Sequence, residues 1–177
     1  DQNSTAEALR YPHNVTVENC TFKGDGTNVI CGVRYRQGFN NVVKNCTAEG
    51  LYLFMWTSGG NKIIIDNVDV IDSYKEGGFS LGQCNEFTVK NSKIVASDPS
   101  GYGIRLSASM PSTATIENCE ISSFIPVMVR EASKDQTLTF NGTNIMTESN
   151  TDDIWCAIGT SAYNTNGTMP TPATGKV

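Results

Sequence analysis

Five asparagines recur at a spacing that few folds can use. Asn19, Asn45, Asn67, Asn91 and Asn118 each stand two positions after an apolar residue and just before a small one, at steps of 26, 22, 24 and 27 residues. They lie in the segments Asn14 to Phe22, Asn41 to Ala48, Lys62 to Val70, Glu86 to Ile94 and Thr113 to Ile121, and a degraded sixth copy runs from Leu138 to Ile145. A unit of this length cannot enclose its own apolar side chains, so successive units must stack and bury them between neighbours. The period suits either the leucine-rich repeat or the parallel β-helix. The former puts two residues between its last strand leucine and its asparagine. This chain puts one, as between Val17 and Asn19, and has only six leucines in 177 residues. Val, Ile, Phe and Thr alternate with polar residues through each copy, and no helical period is sustained. The copies are therefore expected to be strands stacked in register.

The polar positions lead to the same answer independently. The residue before each asparagine runs Glu18, Lys44, Asp66, Lys90, Glu117, with the sign alternating at every step. Two positions after it the series is Thr21, Thr47, Asp69, Lys93, Glu120. In-register parallel strands bring equivalent residues within ~4.8 Å, where like charges repel and opposite ones pair. Exposed pairs are worth only a few tenths of a kcal/mol, so these rows serve register more than stability.

Each copy also carries a second apolar pair: Val33 and Tyr35, Leu53 and Met55, Phe79 and Leu81, Ile104 and Leu106, Val127 and Val129. With those side chains inward, at least two strand faces are expected per rung. Gly32, Gly78 and Gly103 are expected to be tight turns into this second strand. Alternation then turns Arg34, Arg36, Phe54, Trp56, Ser80, Arg105, Met128 and Arg130 outward. An arginine row with aromatic rings suits an acidic sugar chain, the rings stacking on pyranose faces and the guanidinium groups pairing with carboxylates. Glu49, Tyr74, Lys75, Glu76 and Glu131 are expected in loops beside that row. The competing reading has Phe54 and Trp56 covered by a loop or a partner chain.

The repeat resembles the right-handed parallel β-helix of the pectate-lyase-like superfamily, which shares rungs of this length, an asparagine ladder at a tight turn, and small residues or Cys stacked inside. The resemblance covers about Asn14 to Gly159. It implies an all-β, right-handed parallel β-helix, a single-stranded solenoid of about six rungs, and leaves function open, since lyases, hydrolases, epimerases, tailspikes and adhesins share this fold. Members that are lyases use Arg or Lys as base with calcium or Arg to neutralise the carboxylate. That pattern would make Arg34, Arg105 and Arg130 the catalytic candidates, with calcium entering only in the lyase reading; otherwise no cofactor and no metal is expected. The paired aspartates and Gly-His-Gly of the polygalacturonase-like members are missing, and Asp152 and Asp153 fall in the degraded last copy. The acidic trio Asp66, Asp69 and Asp72 belongs mainly to the charge rows.

The composition narrows the partners. Lys plus Arg number 13 against 18 Asp plus Glu, a net charge of -5 with no basic cluster, which argues against nucleic acid and anionic membranes. Neither a membrane span nor a retained leader is expected. The six cysteines show no CxxC spacing. Cys20, Cys46 and Cys119 share one inward position with Val68 and Ser92 and are read as packing. The asparagine ladder is likewise read as structural, Asn being the side chain that tolerates a left-handed turn. The single histidine, His13, is read as a turn residue. The chain thus divides into a lead over 1–13, a β-helix over 14–160 and a Thr/Pro/Gly-rich tail over 161–177. The expected function is an exported, periplasmic or surface module that binds polysaccharide through Arg34, Arg36, Phe54, Trp56, Ser80, Arg105 and Arg130. Two alternatives stand beside it: a uronate lyase or epimerase on the same face, and a tailspike-like or adhesin-like shaft that self-associates or joins another domain through its open ends.

Overall fold

The computed structural model describes residues 11–28, 30–74, 77–99, 101–107, 112–130, 136–148 and 156–159; side chains at 107, 130, 136, 148 and 156–159 lie outside the description. Most of the lead over 1–13, the whole tail over 161–177, and Lys75, Glu76, Glu131, Asp152 and Asp153 also fall outside the described residues.

The strands in chain order are β1 (Thr16–Glu18), β2 (Thr21–Lys23), β3 (Cys31–Tyr35), β4 (Phe39–Glu49), β5 (Leu53–Ser73), β6 (Gly77–Cys84), β7 (Glu86–Lys90) and β8 (Lys93–Ala96), followed by β9 (Tyr102–Ser107), β10 (Ser112–Glu117), β11 (Glu120–Ser123), β12 (Ile125–Arg130), β13 (Gln136–Asn141), β14 (Ile145–Glu148) and β15 (Cys156–Gly159). Every named pairing is parallel, and each strand pairs with strands one repeat away. The chain is a parallel β-solenoid.

Three faces build each turn, where the sequence showed at least two. The first holds β1, β4, β5, β7, β10 and β13. The second holds β2, the ends of β4 and β5, β8, β11 and β14. The third holds β3, the start of β5, β6, β9, β12 and β15. The corner between the first two faces is the asparagine ladder: Asn19, Asn45, Asn67, Asn91 and Asn118 all lie at φ between 51° and 57°. Only a residue that tolerates this left-handed backbone can turn the chain there without losing 1 to 2 kcal/mol. The Asn67 amide donates to Asn45 Oδ1 (2.9 Å), and Asn91 donates to Asp66 Oδ1 (2.9 Å).

The position after each corner points inward and does more than fill space. Cys20, Cys46, Ser92 and Cys119 each donate back across the corner to the carbonyl two residues earlier, at 3.2, 3.2, 2.7 and 3.3 Å. The side chain thus adds a local hydrogen bond across the bend, and the carbonyls of Lys44 and Glu117 accept from the neighbouring rung's Asn19 and Asn91 amides as well. All five described cysteines are free thiols, Cys20 and Cys46 on neighbouring rungs included.

The charge rows form as register demands. Glu18 pairs with Lys44 at 2.7 Å, Asp66 with Lys90 at 3.2 Å, and Lys93 with Glu120 at 2.7 Å. Thr47 bonds Thr21 at 3.2 Å where both members of the row are hydroxyls. Inside, Ile63, Ile65, Val68, Val70, Val89, Ile94, Ile116 and Ile121 are fully enclosed. Phe22, Phe54 and Phe79 make an edge-to-face stack with centroids 5.5 and 5.8 Å apart.

Candidate functional site

The third face carries the candidate row, and its register fixes the columns. Arg34, Trp56, Ser80, Arg105 and Met128 are consecutive partners on neighbouring strands. Three spacings of ~4.8 Å put Arg34 about 14 Å from Arg105. Two residues along, Ser58, Gly82, Ser107 and Arg130 align, and Ser58 Oγ donates to the carbonyl of Arg36 at 3.0 Å, which sets Arg36 at the head of that column. The side chain of Arg130 lies outside the described residues.

Part of the expected row is buried. Phe54 is 0% exposed and belongs to the main core, between Phe22 and Phe79. Alternation fails at the corner leading into this face, so Phe54 and Met55 both point inward while Leu53 faces the outer side. Leu53 joins Tyr102, Ile125 and Met128 in a second apolar cluster. Met128 lies between Val127 and Val129, both in the main core, so this cluster sits on the outer surface of the sheet. Met128 and Ser80 point outward as expected and are nevertheless buried, at 3% and 1% exposure.

The glycines mark the same corner. Gly32, Gly78 and Gly103 have no left-handed φ and make no tight turn. They share a column with Phe54 in which the rungs approach too closely for a side chain: a Cβ on Gly32 would lie 2.9 Å from the Phe54 ring, one on Gly78 2.5 Å from the Gly103 carbonyl oxygen, and one on Gly103 would meet Ile121.

Four residues of the row remain as surface chemistry. Trp56 is 38% exposed, with the Arg34 guanidinium 4.1 Å over its ring. Arg34 and Arg36 are exposed and, with Tyr11, Pro12, Tyr35 and Gln37, line an open recess of about 520 Å³. Arg105 is half-buried, its Nη2 donates to Ser80 Oγ at 2.7 Å, and its guanidinium stands 5.0 Å from the Tyr102 ring. Its Nε is buried with no hydrogen-bond partner among the described residues. Tyr102 was not legible in the sequence, because simple alternation from Ile104 turns it inward; the glycine between them is the only signal of the broken parity.

Glu49 and Tyr74 line a different recess of about 610 Å³, together with Lys23, Asp25, Asp72 and Ser97. Asp25 there accepts from the backbone amides of Asn28 and Thr27 and from the Asn28 side chain, which holds its carboxyl well below the usual range. His13 lies before β1 and stacks on Phe39 at 5.1 Å.

A family model described as the right handed beta helix region matches residues 2–151. The chain belongs to the right-handed β-helix family. No curated protein and no solved structure matches it.

What this β-helix can do on its third face follows from where its charges go. Lys23, Lys44, Lys90 and Lys93 each pair with a carboxylate, whereas Arg34, Arg36 and Arg105 form no ion pair among the described residues. Arg34 and Arg105 are too far apart to act as base and neutraliser on one sugar residue, which spans about one rung spacing. They can engage anionic groups about three sugar residues apart along a polymer. The thiols of Cys31, Cys46, Cys84 and Cys119 are poor nucleophiles, since burial pushes Cys84 up to about 11 and raises the other three as well. Among the described residues, no three His, Cys, Asp or Glu side chains gather as a metal site.

Proposed function

We propose that this β-helix binds an acidic polysaccharide along its third face, the polymer running parallel to the solenoid axis over Arg34, Trp56 and Arg105. One observation carries the reading: in a protein of net charge -5, Arg34, Arg36 and Arg105 have no carboxylate partner among the described residues while the ladder lysines are paired. A guanidinium held by a serine and a tyrosine ring, with no carboxylate partner among the described residues, suits a carboxylate of the ligand. The exposed Trp56 ring supplies the apolar surface that a pyranose needs. Such a partner fits an exported or surface setting.

Affinity electrophoresis in gels of acidic and neutral polysaccharides tests this. Retardation in polyuronate gels is expected, weakening with salt. Trp56→Ala should weaken binding about tenfold, the equivalent of about 1.4 kcal/mol. Arg105→Lys should also weaken it, since a lysine keeps the charge and loses the fork. Migration unaffected by every acidic polymer would overturn the proposal. Near-ultraviolet absorbance, followed in the same samples, reports unsaturated uronates, and its rise would make the site a lyase.

A further inference from the structure

The exposed ring and the exposed cation of the third face already occupy each other. Arg34 and Trp56 are register partners on β3 and β5, and the Arg34 guanidinium stands 4.1 Å over the Trp56 ring. Neither side chain is fixed by burial, since Arg34 is exposed and Trp56 is 38% exposed. The next residue of the column, Ser80, is short and 1% exposed, and it receives the Arg105 guanidinium at 2.7 Å.

We propose that Arg34 sets the specificity of the polysaccharide site: its guanidinium caps Trp56 in the free protein and yields the ring to a sugar that offers it a carboxylate. The inference rests on the binding function proposed above, and it adds the means by which an acidic polymer is told from a neutral one of the same shape.

A pyranose that stacks on Trp56 must first displace the guanidinium. That forfeits a cation–π contact worth about two- to fivefold in affinity at an exposed site. A uronate compensates, because the displaced guanidinium meets its carboxylate in a charge-assisted, bidentate pair. A neutral sugar offers no such acceptor, so part of what it gains on the ring is cancelled by uncovering it. Discrimination then comes from a penalty against the neutral ligand as well as from attraction to the acidic one. Arginine suits the role better than lysine, since a planar guanidinium lies flat on an indole and still presents its fork at the edge. The two residues stand one rung apart, ~4.8 Å, so ring and guanidinium reach the same sugar or adjacent ones.

Affinity electrophoresis with paired polymers tests this: polygalacturonate and alginate, each beside the same polymer with its carboxyls reduced to alcohols. The wild-type protein should be retarded by an acidic member and hardly at all by its reduced counterpart. Arg34→Ala should bind the acidic polymer more weakly, and should bind the reduced one about two- to fivefold more tightly than the wild type does. Arg34→Lys should show a smaller gain, and Arg34→Ala, Trp56→Ala should show none. Both positions are exposed, so circular dichroism should be unchanged in every variant. Acrylamide quenching of tryptophan emission reads the cap without any ligand. After subtraction of the emission of matching Trp56→Phe variants, which retain only Trp155, quenching should be stronger in Arg34→Ala than in the wild type. Absence of retardation by both acidic polymers overturns the binding function and this proposal with it. Retardation of the wild type by an acidic polymer, with no gain on the reduced one in Arg34→Ala, overturns this proposal alone. A gain that survives the loss of Trp56, or quenching that Arg34→Ala leaves unchanged, overturns it too.

Discussion

At the scale of single residues, the backbone decides more than the side chain's polarity suggests. Asn67 is exposed, yet it holds φ 53° and donates to Asn45, so it carries both conformational and hydrogen-bonding work. Asn67→Ala should lower stability by about 1 to 2 kcal/mol, because an alanine resists the left-handed region. Asn67→Gly should cost clearly less, since glycine enters that region freely and loses only the amide bond. Urea midpoints of the two variants check the order, and equal losses would show that the amide bond alone matters. The hooks behind the corner follow the same logic. Ser92 stands in the cysteine column because an Oγ does there what an Sγ does, and it also accepts from the amide of Val68 at 3.1 Å.

At the scale of elements, register is what the charge rows enforce. Asp66 lies between Lys44 and Lys90 and accepts from Asn91. Asp66→Lys would align three like charges and should cost about 1 kcal/mol, part of it recovered in high salt by screening. Thermal midpoints at low and high salt measure this; a salt-independent loss would mean that the hydrogen bond to Asn91, not the charge, is responsible. These rows and the asparagine corner were legible from the sequence because both repeat on every rung, and a repeat multiplies a weak signal. The third face was legible only in part. Phe54 was turned outward because alternation assumes an unbroken strand, and the corner at Leu53 to Met55 breaks the parity. Ser80 reads as surface by polarity and by alternation, yet it is buried. Arg34, Arg36, Trp56 and Arg105 came through because they lie beyond the corner, where alternation resumes.

At the scale of the whole molecule, the buried acids share one direction of shift. Burial raises Cys31, Cys46, Cys119 and Tyr35, and takes Cys84 to about 11. An unfolded thiol releases its proton near 8.5. The unfolded chain therefore loses protons first as pH rises, so stability is full below about 8.5 and falls as pH climbs toward 11. Cys84 alone accounts for on the order of 3 kcal/mol of that fall. Urea midpoints at neutral and alkaline pH should diverge, and Cys84→Ala should narrow the gap; an unchanged gap would assign the effect to the other groups.

Because every strand pairs only with strands one repeat away, the molecule also has a mechanical character. Pulled by its two ends it has no long-range tie to break at once, so it should peel one rung at a time. Each rung of 22 to 27 residues would release a length of roughly 3.5 Å per residue, about 80 to 95 Å. Force spectroscopy should then record a train of near-equal steps, a ruler whose graduations are the intervals between the asparagines.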